Sequence, residues 1–235
     1  MNWGRLAAAV LLGTALLAGE PAAAADTVSR VVLDDDFSGA RGDAPGTGTW
    51  TVDGGAERAW QDGSGRLVLG SPMRTAKTFR QAYGRAEARV WMNRADEAWR
   101  ALGVLDASGR TPAGEVEILD SSPVGGDFHT YAIDWTPTTI TWSIDGRAVQ
   151  RFTPAEKVPY AVVLGLGSGD RRSSGMLVDR VTVSVRVKVV PWRAFTGYRA
   201  GQHVEYDEEV YRVREPHTSL PGWQPTLVPA LFTRI

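Results

Sequence analysis

The sequence predicts an all-β protein, a β-sandwich followed by a small all-β module. Nearly every periodic segment alternates apolar and polar residues with period two, as a strand with one buried face requires. Beyond Ala25 no stretch sustains a helical period. The 26 glycines and 13 prolines break the chain into short runs, the spacing of a sheet folded by turns.

Met1 to Ala25 combines Arg5, an apolar run from Leu6 to Ala18, and the small-residue stretch Pro21-Ala22-Ala23-Ala24-Ala25. This is the pattern of a secretory signal peptide, so a secreted, extracellular protein is expected. The run is short for a membrane span and no second one follows, so no membrane association is expected after its removal. The remaining chain divides into 26–190 and 191–235 at a composition shift near Val190-Pro191-Trp192. There is no cysteine, which excludes disulfides, structural thiolate zinc and thiol catalysis. The formal net charge of -1 supplies no field for nucleic acid or anionic lipid. His129, His203 and His217 are far apart in sequence, which disfavours a histidine metal site. The 9 tryptophans are an excess that suits the flat C–H faces of sugar rings.

Arg85 to Trp91 reads as a strand. Phe128 to Trp135 is another, with His129, Tyr131, Ile133 and Trp135 on one face. Ile140 to Ile144, the dipeptide Asp145-Gly146, and Arg147 to Phe152 form a hairpin, since Asp-Gly favours a two-residue turn. Tyr160 to Leu166 is a strand. In Met176 to Val190 the residues Val181, Val183, Val185, Val187 and Val189 share one face.

The most informative segment is Gly114-Glu115-Val116-Glu117-Ile118-Leu119-Asp120-Ser121-Ser122-Pro123. Acids are poor strand formers, so three carboxylates among three aliphatic residues need a reason. Glycoside hydrolysis is the chemistry that most often gathers carboxylates away from metal-ligating residues, one attacking the sugar and another protonating the leaving oxygen. A plain strand puts Glu115, Glu117 and Leu119 on one face and Asp120 with the aliphatics on the other. A β-bulge near Ile118-Leu119 would return Asp120 to the acidic face. A solvated acidic edge strand and a cation site are the alternatives on pattern alone.

This segment resembles the Gly-Glu-x-Asp-x-x-Glu signature of glycoside hydrolase family 16, the laminarinase and lichenase group. Tyr83-Gly84-Arg85-Ala86-Glu87-Ala88-Arg89-Val90 is similar to that family's Tyr-Gly-x-x-Glu-Ala-Arg strand. Asp127-Phe128-His129-Thr130-Tyr131-Ala132-Ile133-Asp134-Trp135-Thr136-Pro137 resembles its Asp-Phe-His segment. Asp145-Gly146, Met176 to Val181 and Asp35-Asp36-Phe37 also fit, so the resemblance covers about residues 32 to 187. It implies a concanavalin-like jelly roll and retaining hydrolysis of β-1,3 or β-1,3-1,4 glucan. It implies Glu115 as nucleophile, Glu117 as the central carboxylate, Asp120 as acid/base, and Trp99 and His129 as substrate-binding residues. Four positions depart from the pattern. Glu117 replaces Asp, Asp120 replaces Glu, Gly103 replaces a Trp and Gly165 replaces an Asn. These departures imply the alternative of a non-catalytic polysaccharide-binding protein with a degenerate cleft.

No cofactor is expected. A structural calcium at Asp34-Asp35-Asp36 is the exception that the resemblance allows, with a solvated turn as the reading from the residues. Trp50, Trp60 and Trp142 are expected in core or shoulder packing, and His203 and His217 at the surface.

The last 44 residues are rich in Tyr, Trp, Pro and Gly. Trp192 to Tyr206, Val210-Tyr211, His217-Thr218-Ser219-Leu220-Pro221-Gly222-Trp223-Gln224-Pro225 and Pro229-Ala230-Leu231-Phe232 resemble carbohydrate-binding modules of families 5 and 12. That resemblance implies a chitin-like insoluble polysaccharide as partner. Trp223 is the leading stacking residue because Pro221-Gly222 makes a turn that presents it outward. Tyr206 and Phe232 are the further candidates.

Overall fold

The computed structural model describes residues 27–92, 101–112, 114–119, 127–155, 159–165 and 176–235, with backbone alone at 114–116 and 118. The predicted signal peptide, Trp99 and Asp120 lie outside the described residues.

The strands in chain order are β1 (Thr27–Asp35), β2 (Trp50–Val52), β3 (Ala59–Gln61), β4 (Leu67–Leu69), β5 (Met73–Thr75), β6 (Gly84–Met92), β7 (Leu102–Leu105), β8 (Gly114–Ile118) and β9 (Phe128–Trp135). They continue with β10 (Ile140–Ile144), β11 (Arg147–Pro154), β12 (Ala161–Leu164), β13 (Met176–Pro191), β14 (Gly197–Tyr198), β15 (His203–Tyr206), β16 (Glu209–Val213), β17 (His217–Thr218) and β18 (Phe232–Arg234). One sheet runs β18-β16-β15-β13-β6-β9-β10-β11-β8, with β1 and β4 also paired to β13 and β3 to β4. A second runs β2-β5-β12-β7, and β14 pairs with β17. The protein is an all-β jelly-roll sandwich followed by a small β module, as predicted.

The valine ladder of β13 builds the core. Val181, Val183 and Val185 are buried and meet Ala86, Ala88 and Val90 of β6 and Tyr131, Ile133 and Trp135 of β9. Leu102 and Val104 of β7, Val162 and Leu164 of β12 and Met73 of β5 close the other side. Burying each such aliphatic side chain contributes about 1.5–3 kcal/mol. Trp135 anchors this packing: its indole N–H donates to the Gln81 carbonyl at 3.0 Å, and its ring meets Tyr160 edge-on at 6.2 Å. Gly84 lies opposite Trp135 in the β6–β9 register, and a Cβ there would sit 2.0 Å from the indole. Only glycine leaves that space.

The Asp145-Gly146 turn forms as predicted. Both residues have positive φ (48° and 79°), the conformation that a twisted two-residue hairpin demands. Trp50 and Trp142 are buried in the core. Trp60 differs from the expectation: it lies on the short strand β3, which among the described strands pairs only with β4, and is 41% exposed.

The boundary predicted between residues 190 and 191 falls at the end of a continuous strand. β13 runs through Pro191, and its last residues pair in parallel with β15, Val189 with His203 and Pro191 with Glu205. Tyr198, Val204, Tyr211, Val213 and Phe232 form a separate small core, against which Val190 and Trp192 pack. The two histidines expected at the surface are partly buried instead. His203 Nε2 is enclosed without a hydrogen-bond partner among the described residues, and His217 lies within an aromatic cluster. Burial, followed by the charges of Arg30 and Arg212, holds the His203 imidazole below its ordinary pKa.

Candidate functional site

The carboxylate strand β8 pairs antiparallel with β11, and among the described strands it ends the sheet. Glu115 faces Thr153 across the ladder, Glu117 faces Arg151, and Ile118 faces Gln150. The Leu119 N–H donates to the Val149 carbonyl at 3.0 Å, so the register continues unbroken through Leu119. Glu117 and Leu119 are both exposed, as one pleat face requires. The bulge predicted at Ile118-Leu119 is therefore not in β8. The shift lies one strand over, where Trp142 faces Gln150 but Ser143 faces Ala148, leaving Val149 as the extra residue of β11. Glu115 and Glu117 share a face by strand geometry; the Glu115 side chain and Asp120 lie outside the description.

His129 opens β9. Its Nδ1 lies 2.7 Å from an Asp145 carboxylate oxygen. The other Asp145 oxygen accepts the Thr130 N–H at 2.8 Å, and the Asp145 N–H donates to the Thr130 carbonyl at 2.8 Å. The hairpin turn thus clamps the start of β9. Partial burial pushes the Asp145 carboxyl up, but the Thr130 N–H and His129 outweigh it and hold the group below its ordinary value. An ionised carboxylate only accepts, so Nδ1 carries the proton. His129 Nε2 is enclosed and has no hydrogen-bond partner among the described residues. It is the polar atom left to act: an acceptor in neutral imidazole, a donor in imidazolium. Two residues on in β9, Tyr131 stacks on Trp142, and burial and then the Asp145 charge push the phenol up to about 12, so it stays neutral.

Gly103 belongs to the second sheet, and Gly165 lies just past it. Gly103 of β7 faces Val163 of β12, and Gly165 follows β12 with φ 66°. Asn tolerates that region better than most residues, so replacement of Asn by Gly there keeps the backbone path.

Asp34, Asp35 and Asp36 do not gather around one point. Asp34 pairs with Arg180, which lowers its pKa. Asp35 accepts the Trp50 indole N–H at 2.7 Å and the Phe37 N–H at 3.0 Å. Asp36 accepts the Ser38 N–H. The three carboxylates diverge to separate partners, and that set does not fit a calcium cage. Among the described residues no group of three or more His, Asp and Glu side chains is placed to hold a metal ion.

In the C-terminal module, Trp223 is 37% exposed and packs one side against His217, ring centroids 6.3 Å apart. The turn around it is held by a hydrogen-bonded chain. Trp192 Nε1–H donates to Ser219 Oγ at 3.2 Å, and the buried Ser219 hydroxyl lies 3.1 Å from His217 Nε2. His217 Nδ1 is 2.8 Å from the Glu215 carbonyl, which only accepts. Nδ1 therefore carries the proton and Nε2 accepts from Ser219. Tyr206 is half-buried, and its ring is engaged edge-on with Trp192 at 5.6 Å. Phe232 must be corrected. It is 2% exposed, in the small core and T-shaped against His217 at 5.1 Å, and a ring so enclosed cannot stack on a sugar. One exposed aromatic residue escaped the sequence reading. Phe195 is 74% exposed with φ 59°. Its signal is a bulky ring in the uncharged turn Ala194-Phe195-Thr196-Gly197, where no strand pattern asks for one.

The fold and these two sites define a two-part protein, a β-sandwich with an appended small β module. Residues 105–166 match the glycosyl hydrolases family 16, and residues 191–233 match the carbohydrate-binding module family 5/12. The sandwich resembles the endo-β-1,3-glucanase from Pyrococcus furiosus, with TM-score 0.50 and 17% identity, over 68% of this chain and 95% of that one. It resembles β-agarase A in complex with oligoagarose equally, with TM-score 0.50 and 14% identity, over 68% of this chain and 94% of that one. In sequence the chain is 27% identical over 173 residues to chitinase A1 of Niallia circulans, 73% of this chain and 24% of that protein. It is 46% identical over 44 residues to streptogrisin-C of Streptomyces griseus, 19% of this chain and 10% of that protein. The chain therefore spans a quarter or less of these relatives.

Proposed function

We propose a secreted glycoside hydrolase that cleaves β-1,3 or β-1,3-1,4 glucan with retention and is held on insoluble, chitin-containing polysaccharide by its C-terminal module. The observation that carries this is β8. Two glutamates alternate on one face of a regular strand, inside the segment that matches family 16. In the proposed reaction Glu115 attacks the anomeric carbon while Asp120 protonates the departing oxygen. Water, deprotonated by Asp120, then displaces Glu115 from the glycosyl-enzyme. Glu117 tunes the nucleophile beside it through like charge. The family 5/12 match at residues 191–233 and the likeness of the chain to chitinase A1 support retention on chitin-like material.

Incubation with laminarin, lichenan and chitin, followed by reducing-end assay, tests the reaction. The wild type is expected to release ends from at least one glucan, and Glu115→Gln to lose at least about 10³-fold. Equal inertness of both proteins on all three would remove the hydrolase. The second function, a non-catalytic wall binder, is favoured by Asp120, which is a methylene shorter than Glu. A misplacement of about 1 Å can cost on the order of a hundredfold in rate. Asp120→Glu separates the two: a large gain marks a weakened enzyme, and no gain marks a binder.

A further inference from the structure

The C-terminal module exposes more apolar surface than its own small core accounts for, and the surface lies around Trp223. Leu220 is 41% exposed beside it, and Phe195 is the most exposed large apolar side chain among the described residues. The backbone brings the three together. β14 pairs with β17, Gly197 opposite Thr218. One step outward, the Phe195 N–H donates to the Ser219 carbonyl at 2.6 Å, and the Ser219 N–H donates to the Thr196 carbonyl at 3.0 Å. Leu220 follows directly, and the Trp223 N–H closes the turn on the Leu220 carbonyl at 2.9 Å.

Phe195 is also held in a conformation that bulky residues avoid. Its φ of 59° lies in the left-handed region, where Gly or Asn is the ordinary occupant. A position that is both strained and solvent-facing has no packing reason to carry a phenyl ring. The surrounding chemistry states what the ring would meet. Residues 216–233 contain no Asp, Glu, Lys or Arg, and neither does 194–198. An uncharged apolar face edged by hydroxyl and amide groups suits a neutral ligand with its own flat apolar face.

We propose that Phe195 is a second stacking ring, which with Leu220 and Trp223 forms one platform for the apolar face of a neutral, β-linked insoluble polysaccharide. This rests on the sugar-binding role proposed for the module. The test is an adsorption isotherm of the full chain on chitin powder, with a thermal melt of each variant. Wild type binds, and Trp223→Ala falls by about a hundredfold or more. Phe195→Gly binds about tenfold more weakly yet melts about 2–4 °C higher, because glycine relieves the left-handed strain. A ring present only for packing would lower both. If Phe195→Gly adsorbs within about twofold of wild type while Trp223→Ala does not bind, the second ring is refuted and the module's role stands. Wild type that fails to adsorb, or three proteins that adsorb alike, would refute both. Phe195→Gly that instead loses binding to zwitterionic lipid vesicles and keeps chitin would assign the platform to a membrane.

Discussion

At the residue scale, the His129–Asp145 pair links the hairpin turn to the predicted cleft. The Asp145 carboxyl is held below its ordinary pKa in the folded protein. Its contribution to stability is therefore present above the unfolded value of about 3.9 and is lost as pH falls through the folded value. Asp145→Asn removes this contribution. The wild-type melting temperature is expected to fall more steeply than that of Asp145→Asn below about pH 4, measured by calorimetry across a pH series. Parallel curves would place the pair outside the folding balance. The motif around His129 was legible in the sequence, because Asp127-Phe128-His129 is contiguous. Its orientation was not. The partner Asp145 is 16 residues away, and only the turn geometry brings it within 2.7 Å. Phe232 misled for a related reason: an aromatic residue in a short module looks the same in sequence whether it faces a ligand or a core.

At the element scale, period-two patterning carried most of the information. The valine ladder of β13 and the Asp145-Gly146 hairpin are local features that backbone chemistry dictates, and both formed as predicted. The register of β8 depended on a neighbour. The sequence of β8 cannot show that its partner strand absorbs an extra residue at Val149, so the bulge was expected in the wrong strand. The Tyr83-Gly84 pair was visible as a motif, but its reason is tertiary: Gly84 leaves room for the Trp135 ring. Gly84→Ala forces the indole from its place and is expected to destabilise the sandwich by about 2–4 kcal/mol in urea denaturation. A cost under about 0.5 kcal/mol would mean that the β6–β9 contact yields easily. In the module, His217→Ala removes the acceptor of the buried Ser219 hydroxyl and the ring between Tyr198, Trp223 and Phe232. A loss of about 1–3 kcal/mol is expected, with weaker adsorption on chitin because the Trp223 turn loosens.

At the scale of the whole molecule, β13 belongs to both parts. It carries the sandwich core and then pairs with β15 of the module, so no free linker separates them. The composition shift at residue 190 was readable in sequence, whereas the continuity of the strand across it was not, since a pairing partner leaves no mark on β13 itself. The arrangement fixes the module relative to the sandwich and so fixes where the exposed Trp223 ring lies relative to β8. The central claim is that Glu115 is the nucleophile of a retaining glycosidase. An activated 2-deoxy-2-fluoro-β-laminaribiosyl fluoride tests it most directly. The fluoride leaves without protonation, so the shorter reach of Asp120 does not limit the step. Mass spectrometry of the digested protein should find the fluorosugar on the peptide that carries Glu115, and find none in Glu115→Gln. An unlabelled wild type, or a label on any other residue, would contradict the account.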